Sequence, residues 1–292
     1  MQCKQHKQHN WFAFLILLLG IGLMLYAGGR FIRKDEVYRE GNSIYDSLSG
    51  QVRGHTAAGD RSNEAPRFGV EAQTAAADSF RLGSATQTEI VASPAALAAE
   101  GALADINTPG IDFAALKTIN SDAMAWLYCP DTVIDYPVMK ADDYDYYLNH
   151  LPDGTQNANG ALFIDYNNAS DFSDQLTVIY GHHMKSGRMF GGLKGYKDQK
   201  YYEEHPSMYL YTEHQDFRID LIYGCVIAAG QWREQAFMYR ENLAALLDYA
   251  AHNTTFLSGA TYAEGDRVVA LSTCSYEFDD ARYVVLGVLS PI

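Results

Sequence analysis

Residues 268–274 read Val-Val-Ala-Leu-Ser-Thr-Cys, an apolar run rich in valine that ends in a cysteine. A short run of this composition predicts a buried strand. A polar loop follows, and a second apolar run, from Tyr283 to Leu289, begins directly after Arg282. Two neighbouring strands would therefore bring the thiol of Cys274 and the guanidinium of Arg282 to the same end of a sheet.

A third apolar run, Leu176 to Tyr180, ends just before Gly181, His182 and His183. Functional side chains are often found where strands end, because the scaffold holds them there and substrate can reach them. A cysteine is nucleophilic as the thiolate, which a nearby histidine or cation favours. A cysteine and a histidine about ninety residues apart fit such a site, assembled in space by the fold.

The cysteine segment resembles the signature of the sortases, the cysteine transpeptidases that fasten surface proteins to the Gram-positive cell wall. That family carries Thr-Leu-x-Thr-Cys, an upstream histidine that directly follows a glycine, and a downstream arginine on the next strand. Leu271, Thr273 and Cys274 match the signature, while Ser272 fills its variable position. Ala270 stands in place of the opening threonine.

Other features are most similar to the class B sortases. They are the Tyr-Gly-His-His block at 180–183, the Met-Phe step at 189–190, the Cys-Ser-Tyr-Glu-Phe sequence at 274–278, and the 27-residue span from Ala229 to Thr255. Class B enzymes use that last span for an added helix. The resemblance covers roughly Ile106 to Ile292.

The resemblance implies catalytic roles for Cys274, His182 and Arg282. Cys274 would attack a backbone carbonyl in a C-terminal sorting signal of the Asn-Pro-x-Thr type, carried by a secreted protein. His182 would act first as general acid and then as base. Arg282 would bind the oxyanion or orient the substrate backbone. An amine of peptidoglycan, or of its lipid-linked precursor, would then release the acyl group, and no cofactor or metal would be needed.

Ser272, Tyr180 and Tyr276 are candidate substrate-binding residues, because they lie next to the catalytic positions in the sequence. Each of them could instead pack in the wall of the fold. Three other functions stay open for the chain: a cysteine peptidase, a sortase that polymerises pilus subunits, and a catalytically silent wall-binding module.

The candidate catalytic residues also have structural interpretations. Cys274 could be a core cysteine, since free cysteines are commonly buried. Arg282 could form a surface salt bridge with Asp279 or Asp280.

His183 competes with His182 for the catalytic role. Adjacent side chains on an extended strand point to opposite faces, so at most one of the two faces the site. The resemblance selects His182, which directly follows the glycine. No acidic or cysteine ligand lies near the pair at a spacing that suits a metal. We expect four other histidines to lie on the surface: His150, His205, His214 and His252.

Cysteine usage favours a free thiol over a disulfide framework. Cys3 precedes the N-terminal apolar segment, which leaves Cys129, Cys225 and Cys274 after it. This number is odd, so at least one of the three is unpaired. A Cys129–Cys225 disulfide is one possibility. Cys225 lies in the apolar run Leu221 to Ala229, however, where a small buried side chain is expected.

The N-terminal segment predicts a membrane anchor, because Trp11 to Gly29 contains no charged residue. At ~1.5 Å per residue its length is roughly 28 Å, close to the thickness of a bilayer's hydrocarbon core. No small-x-small cleavage site follows, which favours a retained anchor over a removed signal peptide. A buried helix of a soluble protein is the alternative. Basic residues flank both ends, so the placement of the catalytic part outside the cell rests on the resemblance.

The composition changes after the anchor. Asp35 to Ser49 could continue as a juxtamembrane helix, whereas the sequence from Gly50 to about Ala104 is poor in large apolar residues and predicts a flexible linker. A small helical subdomain, with Ala95 to Leu103 as a short helix, is the alternative. The predicted division is a cytoplasmic N-terminus (1–10), a transmembrane signal anchor (11–29), a juxtamembrane segment and linker (30–105), and a catalytic domain (106–292).

The chain carries 36 acidic and 22 basic residues, a net charge of −14, which argues against nucleic acid as a partner. Its C-terminal part shows many short apolar segments. Predicted strands are Trp126–Tyr128, Val133–Val138, Ala161–Asp165, Leu176–Tyr180, Met208–Thr212, Phe217–Ala229 and the two final runs; predicted helices are Asp112–Ile119, part of Gly192–Glu204, and Glu241–His252. This pattern predicts a mostly β, mostly antiparallel barrel. The resemblance implies a sortase-like closed β-barrel with a few peripheral helices, preceded by the transmembrane helix.

Overall fold

The computed structural model describes residues 5–53, 110–233 and 242–292. Within these residues eight strands close into a barrel, in the order β1-β2-β3-β4-β7-β8-β6-β5. The strands are β1 (Ala123–Tyr128), β2 (Asp135–Met139), β3 (Leu162–Ile164), β4 (Leu176–Tyr180), β5 (Ser207–Thr212), β6 (Phe217–Ala228), β7 (Arg267–Cys274) and β8 (Ala281–Pro291). The β2–β3 and β4–β7 pairs are parallel, and the other neighbours are antiparallel. The predicted closed barrel is therefore confirmed.

Helices lie around the barrel. They are α1 (Gln5–Val52), α2 (Phe113–Ile119), α3 (Gln199–Glu204), α4 (Ala229–Arg233) and α5 (Leu243–His252), with 3₁₀ helices at Tyr146–Leu148 and Phe190–Lys197. The predicted cap of α2 is confirmed, because Asp112 Oδ1 accepts a hydrogen bond from the Ala115 amide at 2.9 Å. The linker predicted from Gly50 to about Ala104 starts later than expected, since α1 continues to Val52. The rest of that segment lies outside the described residues, as does the short helix expected at Ala95–Leu103.

Side chains of β7 alternate between two hydrophobic clusters, one on each face of the strand. Val269 and Leu271 belong to a cluster with Leu127, Leu162 and other residues from all around the barrel. The intervening residues Val268 and Ala270 instead pack with residues of α4 and α5, such as Trp232, Leu243 and Leu246. Since side chains alternate along a strand, Ser272 and Cys274 continue the face that these two helices cover.

Helix α1 has two different surfaces along its length. Between Phe14 and Tyr26 its large apolar side chains are 40–79% exposed. By length and composition, the helix is a candidate membrane span. Further along, Tyr45, Leu48 and Val52 are buried. Residues 38–53 therefore pack against the barrel and form part of the same folded unit.

The contact between α1 and the barrel is close at Gly41. A Cβ atom at this position would lie 2.4 Å from Asn159 Nδ2, so a larger residue would push the helix outward. The side chains of Asn157 and Asn159 donate to the carbonyls of Val37 and Tyr38, at 2.9 and 3.3 Å. These bonds bind the segment before Gly160 to the helix.

Replacing Tyr45 with phenylalanine is expected to lower the free energy of unfolding by about 1–3 kcal/mol. The Tyr45 hydroxyl donates to the Gly160 carbonyl at 2.6 Å in a buried site, and the variant would leave that carbonyl unsatisfied. Denaturant unfolding of the full chain in detergent would measure the change. Tyr166→Phe, at a residue that is 42% exposed, is the control and should change stability by less than about 0.5 kcal/mol. Equal effects of the two substitutions would contradict the importance of the Tyr45 bond.

Candidate active site

Cys274 and Arg282 are direct partners across the antiparallel β7–β8 pair. Cross-strand partners carry their side chains on the same face, about 4.5–5.5 Å apart at Cβ. Cys274 is exposed at the end of its strand, which excludes the alternative that it is a core cysteine. Arg282 is half-buried, and its Nη1 donates to the Ala281 carbonyl at 3.0 Å. Within the described part of the chain, no ion pair links Arg282 to Asp279 or Asp280.

The end of β4 lies beside the end of β7, because the two strands are parallel and Tyr180 pairs with Ser272. The Gly181 amide donates to the Ser272 carbonyl at 3.2 Å. In return, the Thr273 hydroxyl donates to the Gly181 carbonyl at 2.8 Å. These bonds fix the segment that carries the two histidines next to the cysteine strand. A Cβ at Gly181 would lie 2.4 Å from Leu162 Cδ2, so only glycine fits there.

His182 is half-buried and held by backbone groups of the chain before β3. Its Nε2 lies 2.7 Å from the Leu148 carbonyl. A carbonyl only accepts, so Nε2 carries the hydrogen and the neutral ring keeps its lone pair on Nδ1. The ring also approaches Gly160, where a Cβ would lie 3.0 Å from His182 Cδ2. Gly160 has φ +57°, a left-handed conformation that glycine adopts without strain.

His183 contacts the backbone of the candidate nucleophile. Its Nδ1 lies 2.9 Å from the Cys274 carbonyl, and its ring lies edge-on to Tyr276 with centroids 5.1 Å apart. Burial lowers the pKa of His183, and the cations Lys194 and Lys197 act in the same direction against the bond to Cys274. The neutral ring therefore donates through Nδ1. The sequence favours His182 over His183, whereas the structure places His183 too against the backbone of Cys274.

The three candidate substrate-binding residues lie in different environments. Ser272 is buried and Tyr276 is 69% exposed. The Tyr180 hydroxyl donates to Asp165 Oδ2 at 2.9 Å, and Asp165 follows β3, which lies on the side of β4 opposite to β7. Tyr276 is thus the candidate most open to a peptide, and Tyr180 forms part of the wall beside Ser272.

Asp165 was not recognised as a site residue from the sequence. It is 2% exposed, and it accepts hydrogen bonds from Tyr180, from Tyr144 at 3.0 Å and from the amide of Asn167 at 2.9 Å. Burial, followed by the charge of Asp165, raises the pKa of Tyr144, which keeps that hydroxyl a donor. The only signal that the sequence offers is the position of Asp165 as the last residue of the predicted strand Ala161–Asp165.

The other cysteines are separate from this site. Cys129 and Cys225 are free and buried, and they belong to different hydrophobic clusters, so the disulfide considered from the sequence is not formed. Burial raises the pKa of Cys129 and raises that of Cys225 to about 12. Both thiols are therefore protonated at neutral pH. Cys3 lies outside the described residues.

The prediction that four other histidines lie on the surface is correct for two of them. His214 and His252 are exposed, whereas His150 and His205 are half-buried and pack against tyrosine rings. In the part of the chain that the structure describes, no group of three His, Cys, Asp or Glu side chains could hold a metal ion.

The arrangement suits nucleophilic chemistry on a carbonyl. An exposed thiol, a guanidinium on the adjacent strand and a histidine beside the end of β7 are the groups that such a reaction requires. The catalytic roles of Cys274, His182 and Arg282 stay predictions.

Comparison with known proteins gives one consistent result. No protein-family model matches this chain. Sortase B of Listeria monocytogenes is 31% identical to it over 178 residues, which is 60% of this chain and 72% of the Listeria protein. Sortase B of Staphylococcus aureus is 25% identical over 178 residues, 60% of this chain and 73% of that protein. The crystal structure of sortase B from Bacillus anthracis in complex with AAEK1 aligns with a TM-score of 0.56 and 29% identity, covering 62% of this chain and 86% of that one.

Proposed function

Because the chain belongs to the class B sortases, a family of cysteine transpeptidases, we propose that it cleaves a C-terminal sorting signal of the Asn-Pro-x-Thr type and joins the product to a cell-wall amine. The clients would be secreted proteins that carry the signal. The acceptor would be an amino group of peptidoglycan or of its lipid-linked precursor. The observation that supports this proposal most directly is the cross-strand pairing of the exposed Cys274 with Arg282, beside the end of β4.

In the proposed first step, the Cys274 thiolate attacks the carbonyl carbon of the signal's threonine. Negative charge develops on the carbonyl oxygen, where the guanidinium of Arg282 donates hydrogen bonds to it. His182 protonates the leaving amine, so the peptide bond breaks and a thioester forms. Since Nε2 of His182 is bound to the Leu148 carbonyl, Nδ1 is the atom proposed to exchange the proton.

In the second step, the acceptor amine attacks the thioester and loses its proton to His182. The sulfur leaves as the thiolate and a new amide is formed. The charges balance without a cofactor, because the proton that His182 gives to the leaving amine in the first step is replaced by the proton that it takes from the acceptor amine in the second. Tyr276 and Ser272 lie on either side of Cys274 in the sequence and are the proposed peptide contacts, with Tyr180 beside Ser272.

The proposed location is the cell membrane, with a single span and the catalytic domain outside the cell. Exposed apolar side chains between Phe14 and Tyr26 support this location, because hydrocarbon is the environment that favours such a surface. Since α1 continues without interruption from this segment to Tyr45 and Val52, the anchor would hold the barrel close to the membrane.

The test is product analysis with a quenched Asn-Pro-x-Thr peptide, with and without an added amine such as a short glycine peptide or a diaminopimelate-containing peptide. We expect an amide product whose yield rises with amine concentration. Hydrolysis that the amine does not change would indicate a cysteine peptidase instead. A product formed only with a lysine-bearing pilus subunit peptide would favour pilus assembly. Absence of both cleavage and selective labelling of Cys274 would indicate a silent wall-binding module.

Replacing Arg282 with lysine is expected to lower kcat about 10²-fold. Lysine keeps the positive charge but loses the planar fork that donates two parallel hydrogen bonds. The measurement is steady-state turnover of the quenched peptide. The matched control is Arg218→Lys on β6. The Arg218 guanidinium pairs with Asp220 at a distance of 2.8 Å, and this pair is remote from the cysteine strand, so the variant should keep full activity. Unchanged turnover of Arg282→Lys would remove the oxyanion role from Arg282.

A further inference from the structure

Lys197 links the segment after the two histidines to the loop after the cysteine. It ends the 3₁₀ helix Phe190–Lys197, and its ammonium forms an ion pair with Glu277. The same Nζ donates to Ser275 Oγ at 3.1 Å and lies 4.8 Å from the centroid of the Tyr283 ring. One cation therefore contacts the residue directly after Cys274 and the residue directly after Arg282.

In the β7–β8 loop, residues 275–280, several hydrogen bonds hold Ser275, the residue directly after the candidate nucleophile. Ser275 is 5% exposed, its hydroxyl donates to Glu277, and its amide donates to the Ala281 carbonyl at 2.9 Å. The preceding carbonyl, of Cys274, accepts from His183. Both polar groups of the peptide bond that follows the cysteine are thus fixed.

The negative charge of Glu277 persists at neutral pH. Partial burial acts to raise the pKa of Glu277, but the hydrogen bonds from Lys197 and Ser275 outweigh it and lower the value to about 2. A lowered carboxyl pKa contributes stability above the ordinary value of about 4.3, and this contribution is lost as the pH falls towards 2. Between pH 5 and 9 the carboxylate therefore does not titrate.

Some side chains of this loop are bound to Lys197, and others are exposed to solvent. Ser275 and Glu277 bond to Lys197, whereas Tyr276 and Phe278 are 69% and 48% exposed. If the pair were broken, the loop would lose its bonds to the 3₁₀ helix. The open end of the strand pair, which carries Cys274 and Arg282 as backbone partners, would then be held less rigidly.

We propose that Lys197 and Glu277 are positioning residues for Cys274, since their ion pair clamps the β7–β8 loop and thereby holds the thiol and Arg282 in reactive geometry. This inference rests on the proposed function, but it concerns residues for which neither the sequence argument nor the mechanism has a role. Neither residue touches the substrate in this proposal. Their effect is transmitted through Ser275 and the backbone of Cys274.

The test compares Lys197→Met, Glu277→Gln and the double variant with the wild type, in the full chain in detergent. We expect kcat for the quenched Asn-Pro-x-Thr peptide to fall about tenfold in each single variant, with KM changed less than about twofold, because small misplacements of a nucleophile slow the reaction strongly. The double variant should lose no more than the single variants, since both remove one interaction. Lys197→Arg keeps the pair and should restore most of the activity.

Lys200→Met is the matched control. Lys200 pairs with Glu204 on α3 at 3.6 Å, on an exposed surface, and its removal should leave kcat unchanged. A loss in Lys200→Met equal to that in Lys197→Met would overturn the proposal, as would losses that add in the double variant. Wild-type kcat in both Lys197→Met and Glu277→Gln would also overturn it.

A second measurement separates this proposal from the proposed function. The rate at which iodoacetamide alkylates Cys274, followed by mass spectrometry, does not depend on a sorting signal. We expect a fall of about threefold or more in Lys197→Met and Glu277→Gln, because a displaced loop moves the thiol away from Arg282, and thiolates favour electropositive surroundings. If the wild type failed to cleave the peptide, the function would be wrong while this ratio still tested the clamp. Equal alkylation rates in all variants would contradict the clamp itself.

Discussion

Replacing Cys274 with alanine is expected to lower turnover of the sorting-signal peptide by about 10³-fold or more, because removal of the nucleophile eliminates the covalent step. Stability should change by less than about 0.5 kcal/mol, since Cys274 is exposed at the end of β7. The measurement is cleavage of the quenched peptide, together with the thermal midpoint of the same preparation.

Cys225→Ala is the matched control, because it makes the same substitution at a buried thiol. This variant should keep its activity per folded molecule while losing stability, since Cys225 packs in the cluster beneath α5. Iodoacetamide labelling in a Cys3→Ser background gives a second comparison. Cys274 should react, whereas Cys129 and Cys225 should be protected by burial and by their raised pKa values. Undiminished cleavage by Cys274→Ala would exclude this nucleophile.

Local sequence patterns predicted most of the barrel. Apolar runs such as 268–274 and 176–180 form β7 and β4 at almost the predicted bounds, because each is buried on both faces. Asp112 caps α2 through its own side chain, a contact that spans three residues. The ends of strands are harder to predict from the sequence, since they depend on pairing with a neighbouring strand. β8 reaches Pro291, beyond the predicted Leu289, because Pro291 still pairs with Phe217 of β6.

Contacts between distant polar residues could not be predicted in the same way. Lys197 and Glu277 are 80 residues apart, and Tyr45 and Gly160 are 115 residues apart. Neither pair belongs to a periodic pattern, and a single lysine or tyrosine has many possible partners before the fold is known. The end of α1 was misjudged for a related reason. Composition changes at Gly50, but the helix continues because Leu48 and Val52 are buried against the barrel.

The choice between the two adjacent histidines shows where the resemblance and the structure each contribute. The resemblance selects His182 because it follows Gly181. The structure adds that the two rings have different partners. His182 is bound to the Leu148 carbonyl through Nε2, whereas His183 is bound to the Cys274 carbonyl through Nδ1. We therefore propose a proton-transfer role for His182 and a backbone-positioning role for His183, and substitution can separate the two.

Replacing His182 with glutamine is expected to lower kcat by about 10³-fold, because glutamine can keep the hydrogen bond to Leu148 but cannot transfer a proton. His183→Gln is the matched control on the neighbouring residue. It can still donate to the Cys274 carbonyl, so its kcat should fall less than about tenfold, and its pH profile should keep the wild-type shape. Steady-state turnover between pH 5 and 9 would measure both effects. A larger loss in His183→Gln than in His182→Gln would transfer the acid and base role to His183, whose ring already lies against the backbone of the nucleophile.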